Sequence, residues 1–126
     1  MRNRNGLVSI VVLGLIASGC EPRGVSDAHM SSKSDGSDNV STFAVSSPSI
    51  YFHIEYSALS EGDSLVAKLV FGGQQLTEQG ATVPSDGDGV MTGGFTNQSP
   101  PWAAGAYELQ IWLDGAKVKG VPFSFK

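Results

Sequence analysis

The amino-acid sequence predicts an all-β fold for the segment between residue 49 and the C-terminus. From Ile50 to Tyr56 every second residue is apolar, which is the period of a half-buried strand. Near the C-terminus two alternating runs flank Asp114-Gly115, a pair that favours a tight hairpin because both of its residues tolerate positive φ. No stretch after residue 20 shows the period of an amphipathic helix. We therefore expect a small antiparallel sandwich of about six or seven strands.

The strands before the hairpin follow from the same reasoning. Residues 65–71 place large apolar side chains on one face, and the glycine pair that follows predicts a turn. Residues 74–83 are mostly polar and form the weakest predicted strand. Residues 89–95 make a further strand, in which two adjacent glycines predict a bulge or a bend. Pro122 lacks a backbone donor, so we expect the last strand at a sheet edge or with that position turned outward.

The predicted core collects the large apolar side chains from one face of each strand. Its members are Ile50, Phe52, Ile54, Leu65, Leu69, Phe71, Phe95, Tyr107, Leu109, Ile111, Leu113, Phe123 and Phe125. The predicted domain has fewer than 80 residues and no cysteine pair, which is near the lower size limit for a self-sufficient fold. Each large apolar side chain should therefore matter to stability.

The first 20 residues have the organisation of an export signal. Arg2 and Arg4 precede an apolar stretch of about 13 residues, shorter than the roughly 20 residues of a membrane-spanning helix. The stretch ends in "LGLIASGC", residues 13–20, where three small residues precede Cys20, the single cysteine of the chain. This segment resembles the lipobox of bacterial lipoproteins. The resemblance implies cleavage of a signal peptide over residues 1–19 and acylation of Cys20 by chains such as palmitate.

Other states of Cys20 are a free thiol or an intermolecular disulfide, because a metal site or an intrachain disulfide needs partners that a single cysteine lacks. Acyl chains on this residue would give a lasting membrane anchor. Glu21 follows Cys20, whereas Asp at this position is the usual signal for inner-membrane retention in enteric lipoproteins. The resemblance therefore implies a cell-envelope location at the outer membrane, on its periplasmic or surface face.

Residues 20–48 are predicted to form a flexible, serine-rich tether that joins Cys20 to a domain over residues 49–126. Residues 21–49 contain nine serines and few apolar residues, which is too little apolar surface to offset the entropy cost of ordering. A random coil of this length spans roughly 30 Å. A short edge strand over "STFAV", residues 41–45, is the alternative within this segment.

Charge and composition exclude two classes of ligand. The 8 Lys and Arg oppose 12 Asp and Glu, and loss of Arg2 and Arg4 leaves 6 against 12, a net charge of −6. The basic residues are scattered, so we expect no nucleic-acid partner. The acidic stretches at 35–39 and 85–89 lack the glycine and glutamate spacing of a calcium-binding EF-hand loop. We expect no metal, no cofactor and no small-molecule substrate, and we expect a turn over residues 86–89.

The C-terminal quarter of the predicted mature chain combines a tryptophan, Gly105-x-Tyr107, an apolar strand, Asp-Gly and a closing Phe-x-Phe. This pattern, from Trp102 to Phe125, resembles the last hairpin of bacterial immunoglobulin-like domains. The resemblance implies a tyrosine corner, in which the Tyr107 hydroxyl bonds to a nearby backbone group. Leu109 stands where antibody domains have their second core cysteine, so their disulfide is absent.

Catalysis is not expected. The two histidines are His29 in the predicted tether and His53 on the polar face of a strand, and the sequence identifies no nucleophile or orienting acid for either. Glycoside cleavage needs two acids across a cleft, and we expect the loop acids to be merely solvated. These acids are Glu61, Asp63, Asp86 and Asp88.

A binding module is the function class that the sequence favours. Alternation places Trp112 on the outward face of its strand, where it marks a binding hot spot or packs against the tether or a neighbouring strand. The loop 96–105 carries Trp102 and is stiffened by Pro100 and Pro101, although a tryptophan at this place also commonly closes the core. We expect a non-catalytic protein-binding or structural module that contacts an envelope protein. The alternative is an inhibitor of an envelope or extracellular enzyme, acting through the 96–105 loop.

Overall fold

Eight β-strands and no helix make up the computed structural model, which describes residues 23–126. The strands are β1 (Gly24–Ser31), β2 (Thr42–Phe43), β3 (Ser49–Leu59), β4 (Ser64–Phe71), β5 (Gln74–Thr82), β6 (Gly87–Thr96), β7 (Gly105–Leu113) and β8 (Ala116–Phe125). The predicted all-β class is confirmed, with the two-residue β2 as a strand beyond the predicted number. The predicted signal peptide and Cys20 lie outside the described residues.

The strands form two sheets with the order of an immunoglobulin-like sandwich. One sheet has the order β1-β3-β6 and the other has the order β2-β8-β7-β4-β5. In the immunoglobulin scheme, strands A, B and E share one sheet and strands C, F and G share the other. β1, β3 and β6 take the first set of places, and β4, β7 and β8 take the second. Neighbouring strands are antiparallel except β2, which runs parallel to β8.

The prediction of a flexible tether is wrong for much of residues 20–48. Gly24–Ser31 form β1, which pairs with β3 and places Met30 opposite Phe52 in the core. Thr42–Phe43 form β2 at the edge of the other sheet, as the alternative for residues 41–45 anticipated. The prediction is wrong because it rests on the average composition of the segment. An edge strand needs to bury only alternate side chains, and its backbone forms ladder hydrogen bonds whatever its sequence. The sandwich therefore includes Gly24–Ser31, which the prediction placed before its start at residue 49.

The core lies between the sheets as the alternation predicts. Every predicted core residue is buried except Phe71, which is partly buried against the core. The ring of Trp102 stacks on Phe125 with centroids 4.7 Å apart, in an aromatic cluster that also contains Tyr107 and Phe123. The remaining buried apolar side chains were not predicted as core; they include Met30, Phe43, Leu59, Val83 and Met91.

The C-terminal hairpin has the predicted local geometry. The Tyr107 hydroxyl donates a 2.8 Å hydrogen bond to the carbonyl of Ala103, which is a tyrosine corner. Burial raises the pKa of the Tyr107 hydroxyl. Leu109 is fully buried in the place of the absent cysteine. Asp114 and Gly115 both have positive φ, 49° and 85°, as the tight turn requires.

The adjacent glycines of β6 do not form the predicted bulge or bend. Gly93 and Gly94 keep regular pairing with Phe52 and Tyr51 on β3. A Cβ on Gly93 would lie 2.6 Å from Cζ of Phe52 and would collide with the side chain of Gln79 on β5. These positions are glycine because neighbouring side chains cross the strand at close range.

We expect Leu109→Ala to lower the free energy of unfolding by about 2 to 5 kcal/mol, because it opens a cavity at the centre of the core. Leu109 is 0% exposed and belongs to β7, the middle strand of its sheet. Urea denaturation followed by tryptophan fluorescence measures the change. Val118→Ala serves as the control, since Val118 is 45% exposed and its truncation should cost less than about 0.5 kcal/mol. An unchanged midpoint for Leu109→Ala would contradict the packing of β7.

Candidate functional site

Trp112 lies on the outer face of the five-stranded sheet, as the alternation predicts. Its neighbours on β7, Ile111 and Leu113, point into the core, while Trp112 itself is half-buried. Val66 on β4 and Lys117 on β8 are its partners in the strand register. The Nζ of Lys68 stands 4.1 Å from the centroid of the indole ring, a cation–π contact.

A chain of hydrogen bonds runs from Trp112 along the same face. The indole N–H donates to Gln110 Oε1 at 3.2 Å, and Gln110 Nε2 donates to Glu108 Oε1 at 2.8 Å. Lys117 Nζ forms an ion pair with Glu108 Oε2 at 3.4 Å. These four side chains and that of Lys68 are called the Trp112 face below: they are Lys68, Glu108, Gln110, Trp112 and Lys117.

Electrostatics keep Glu108 charged within this face. The hydrogen bond from Gln110 and the charge of Lys117 lower the pKa of the Glu108 carboxyl. The lack of a side chain at Gly120 lets Glu108 lie across β8, because a Cβ there would collide with its carboxylate. The face therefore presents an aromatic ring, a carboxylate and two ammonium groups in fixed positions.

The other predicted contact residues occupy different places. Trp102 is 9% exposed, donates its indole N–H to the Ser47 carbonyl at 2.7 Å and closes the core, so it does not present a contact surface. Pro100 and Pro101 are exposed at the tip of the 96–105 loop and are joined by a cis peptide bond. Cys20 lies outside the described residues.

The two histidines come together on the outer face of the three-stranded sheet. His29 on β1 is the register partner of His53 on β3, and their rings stack with centroids 4.9 Å apart. His29 contacts Asp27 at 3.4 Å and the Gly36 carbonyl at 3.0 Å, while His53 contacts Glu55 at 3.1 Å. The partners of both rings are therefore carboxylates and one backbone carbonyl.

The loop between β1 and β2 covers these histidines. Gly36 lies against His53, since a Cβ at Gly36 would be 2.8 Å from the His53 Cβ. Asp38 fixes the loop by accepting hydrogen bonds from the hydroxyls of Ser31 and Ser32 and, at 2.9 Å, from the Ser32 N–H. The serine hydrogen bonds lower the pKa of the Asp38 carboxyl to about 2.

Two of the loop acids, Asp86 and Asp88, accept hydrogen bonds from backbone N–H groups. Asp86 accepts from the Glu61 N–H at 2.8 Å, and Asp88 accepts from the Ala58 N–H at 2.9 Å. Asp88 lies within β6, so the predicted turn over residues 86–89 gives way to strand from Gly87 onward. In the part of the chain that the structure describes, no group of three His, Cys, Asp or Glu side chains is placed to hold a metal ion.

Comparison with known proteins informs the fold alone. No protein-family model matches the sequence, and no curated protein matches it either. A solved structure with a similar fold is that of a β-glucosidase from Listeria innocua in complex with glucose, with a TM-score of 0.51 and 8% sequence identity. The similarity covers 79% of this chain, and the chain spans 16% of that enzyme. Between residues 23 and 126 no helix is long and apolar enough to cross a membrane.

Sequence reasoning missed most of the Trp112 face. The alternation of β4 and β7 places Lys68, Glu108 and Gln110 on the same side as an outward Trp112, so this part was accessible from the sequence. Lys68 lies beside Gln110 because β4 pairs with β7. These two strands are separated in the sequence by β5 and β6, and no local sequence signal specifies their pairing. The stacking of His29 on His53 was missed for the same reason, since the segment with His29 was not recognised as a strand.

We expect Asp38 to make stability depend on pH between about 4 and 2. Because its pKa is about 2 when folded and 3.8 when unfolded, the unfolded chain binds more protons in this window and stability falls as the pH falls. The contribution is complete above pH 3.8 and is lost as the pH drops through the folded value. Urea midpoints of the wild type and Asp38→Asn should differ at pH 5 and converge towards pH 2.

Glu78→Gln is the control for this series, since Glu78 is an exposed acid that accepts a hydrogen bond from Gln75. Its midpoint should follow the wild type over the whole pH range. A constant difference between wild type and Asp38→Asn from pH 5 to pH 2 would contradict the assignment of the low pKa to Asp38.

Proposed function

We propose that this protein is a bacterial lipoprotein, acylated at Cys20, whose β-sandwich is a non-catalytic module that binds a protein of the cell envelope. The Trp112 face is the observation that carries the proposal. A tryptophan on an outer sheet face is of a residue type that is enriched at binding hot spots, and the two ammonium groups and the carboxylate around it supply the charged rim that interfaces commonly have. The hydrogen bonds among these side chains already restrict their rotamers, which lowers the entropy cost of binding.

The corrected start of the domain supports a short connection between the sandwich and an anchor. Arg23 Nη2 forms ion pairs of 2.9 Å with Asp63 and with Asp114, which hold the start of β1 against the β3–β4 loop and the β7–β8 turn. Cys20 lies three residues before Arg23, a span of at most about 11 Å. An acylated Cys20 would therefore hold this end of the sandwich close to the bilayer.

Inhibition of an envelope or extracellular enzyme is the second candidate function. The exposed Pro100 and Pro101 stand on a loop that is fixed at its base, where the Trp102 N–H donates to the Val45 carbonyl at 2.9 Å and the Asn97 N–H donates to the Pro48 carbonyl at 3.0 Å. This loop lies at the opposite end of the sandwich from Arg23. It would point away from the membrane and towards soluble enzymes.

We expect Trp112→Ala to weaken the capture of a partner protein from detergent-solubilised envelopes by at least about tenfold, as for a hot-spot tryptophan. Quantitative co-purification on the immobilised protein measures the captured amount. Tyr51→Ala is the matched control, because Tyr51 is an aromatic residue on β3 of the three-stranded sheet, away from the Trp112 face. Equal capture by wild type and Trp112→Ala would remove the support for this face, and capture of nothing by any form would contradict the binding function.

We expect Cys20→Ser to abolish membrane attachment. The wild type should partition into the detergent phase of a Triton X-114 separation and carry a mass increase that matches acyl chains, because such chains give lasting attachment. The variant should partition into the aqueous phase or remain unprocessed. Identical processing and partitioning of the two forms would contradict the lipoprotein assignment without affecting the proposed binding face.

A further inference from the structure

The two sheets have unequal widths, and β5 is the strand left without cover. The five-stranded sheet ends at β5, whereas the three-stranded sheet opposite it ends at β6. Gln79 and Ala81 of β5 are the register partners of the buried Ala67 and Leu65, and so they share the inward-facing side of the sheet. Both are nevertheless exposed, as are all nine residues of β5. No strand among the described residues lies opposite them.

A groove lies beside β5, at the position that a strand opposite β5 would occupy. It has a volume of about 300 Å³ and is open to solvent. Tyr56, Leu65 and Met91 form its floor, and all three are buried apolar residues of the core. Ala81 on β5 and Thr92 on β6 line its two sides. The floor is therefore apolar, while one wall is the edge of a sheet.

Among the described residues, no strand pairs with the edge of β6 that faces away from β3. The Gly94 N–H donates to Gln79 Oε1 at 3.1 Å, which shows that it points away from β3 and towards β5. In an antiparallel ladder every second residue directs its N–H and C=O to the same side. Thr92 and Val90 therefore direct theirs away from β3, as Gly94 does. At Gly94 the edge is closed by Gln79, and at Thr92 and Val90 the edge borders the groove.

The surroundings of the groove are acidic. Residues 74–96, which include β5 and β6, contain Glu78, Asp86 and Asp88 and no Lys or Arg. Glu55 lies beside Val90 in the strand register and adds a further carboxylate on the outer face. A segment that paired with β6 would meet the negative charge of Glu55 and Asp88 on the outer face, whereas Glu78 lies on the other side of β5, beside Lys68. A second copy of this chain would bring the same acidic edges, so like charges oppose self-pairing there.

From this combination we propose that the groove binds an extended, basic segment of a partner protein, which adds as a strand to the free edge of β6. The backbone of the segment would pair with Val90 and Thr92, and an apolar side chain would enter the groove above Tyr56 and Met91. Lys or Arg residues at the intervening positions would lie on the outer face, near Glu55 and Asp88. The inference deepens the proposed function, on which it rests, by adding a second contact surface and the chemistry of its ligand.

The test uses a fluorescein-labelled octapeptide of alternating Val and Lys, with an octapeptide of alternating Val and Glu as its charge control. Fluorescence anisotropy with the purified full chain measures binding. We expect the Lys peptide to bind, to bind less tightly as salt is raised, and to shift backbone NMR signals of residues 90–94. We expect at least tenfold weaker binding of the Glu peptide. No binding of the Lys peptide, or equal binding of both peptides, would overturn the proposal.

A pair of variants tests the strand-addition geometry. Thr92→Pro removes the outward N–H but leaves the ladder between β6 and β3 intact, whereas Thr92→Ala keeps that N–H. We expect Thr92→Pro to weaken binding of the Lys peptide by at least tenfold and Thr92→Ala to change it by less than twofold. Equal affinities for the two variants would show that the peptide does not pair with β6.

Ala81→Arg keeps the test decisive if Thr92→Pro does not fold. Ala81 is exposed, and an arginine there fills the groove and repels a basic segment, while Ala116→Arg adds the same charge on the distant hairpin. We expect tenfold weaker binding of the Lys peptide for the first variant and less than twofold for the second. Equal losses would contradict the groove as the site, and a wild-type dimer that Ala81→Arg dissociates would identify a second copy as the occupant instead.

Trp112→Ala should bind the Lys peptide as tightly as the wild type does. A failure of the groove proposal is therefore distinguishable from a failure of the proposed Trp112 face.

Discussion

The apolar layer between β3 and β7 is the constraint on which the rest of the structure depends. β3 is the middle strand of one sheet and β7 is the middle strand of the other, and each buries every second side chain, from Ile50 to Tyr56 in β3 and from Tyr107 to Leu113 in β7. Because the side-chain period of a strand is two, the buried set determines the outward set. His53 and Glu55 must face outward on one side, and Trp112 and Gln110 must face outward on the other. A slip of one residue in β7 would bury Trp112 and expose Leu109 and Ile111.

The unequal sheets explain why β5 is polar on both sides. A strand in the middle of a sandwich buries one face, but no strand within residues 23–126 lies opposite β5, so apolar residues on its inner side would gain little from folding. Free strand edges usually carry charge, proline or a cover that prevents unwanted pairing. Gln79 supplies such a cover at Gly94 only, and acidic residues supply the charge elsewhere. The edge of β6 at Thr92 is therefore open to pairing with a further strand, and the acidic residues near it favour a basic strand.

Sequence reasoning succeeded where the signal was local and failed where it depended on distant partners. The period of β3, the Asp114-Gly115 turn and the tyrosine corner of Tyr107 all lie within short segments, and the structure confirms each of them. The segment of β1 is rich in serine and charge, which predicts a tether, and only its pairing with β3 shows that Met30 is core. The alternation of residues along β7 predicts that Trp112 faces outward. Trp102 lies outside a strand, where alternation does not predict which way a side chain points.

The corrected position of β1 changes what an anchor at Cys20 would do. A long coil would let the sandwich rotate freely, whereas the ion pairs of Arg23 with Asp63 and Asp114 leave only a short segment between the fold and the bilayer. The membrane-facing end would then carry the acids of the β3–β4 loop and the β5–β6 connection, which anionic headgroups repel. The groove beside Val83 opens near this end, and the Pro100–Pro101 loop lies at the other. A strand that enters the groove would therefore come most easily from a protein at the membrane surface, whereas an enzyme cleft would meet the proline loop from the soluble side.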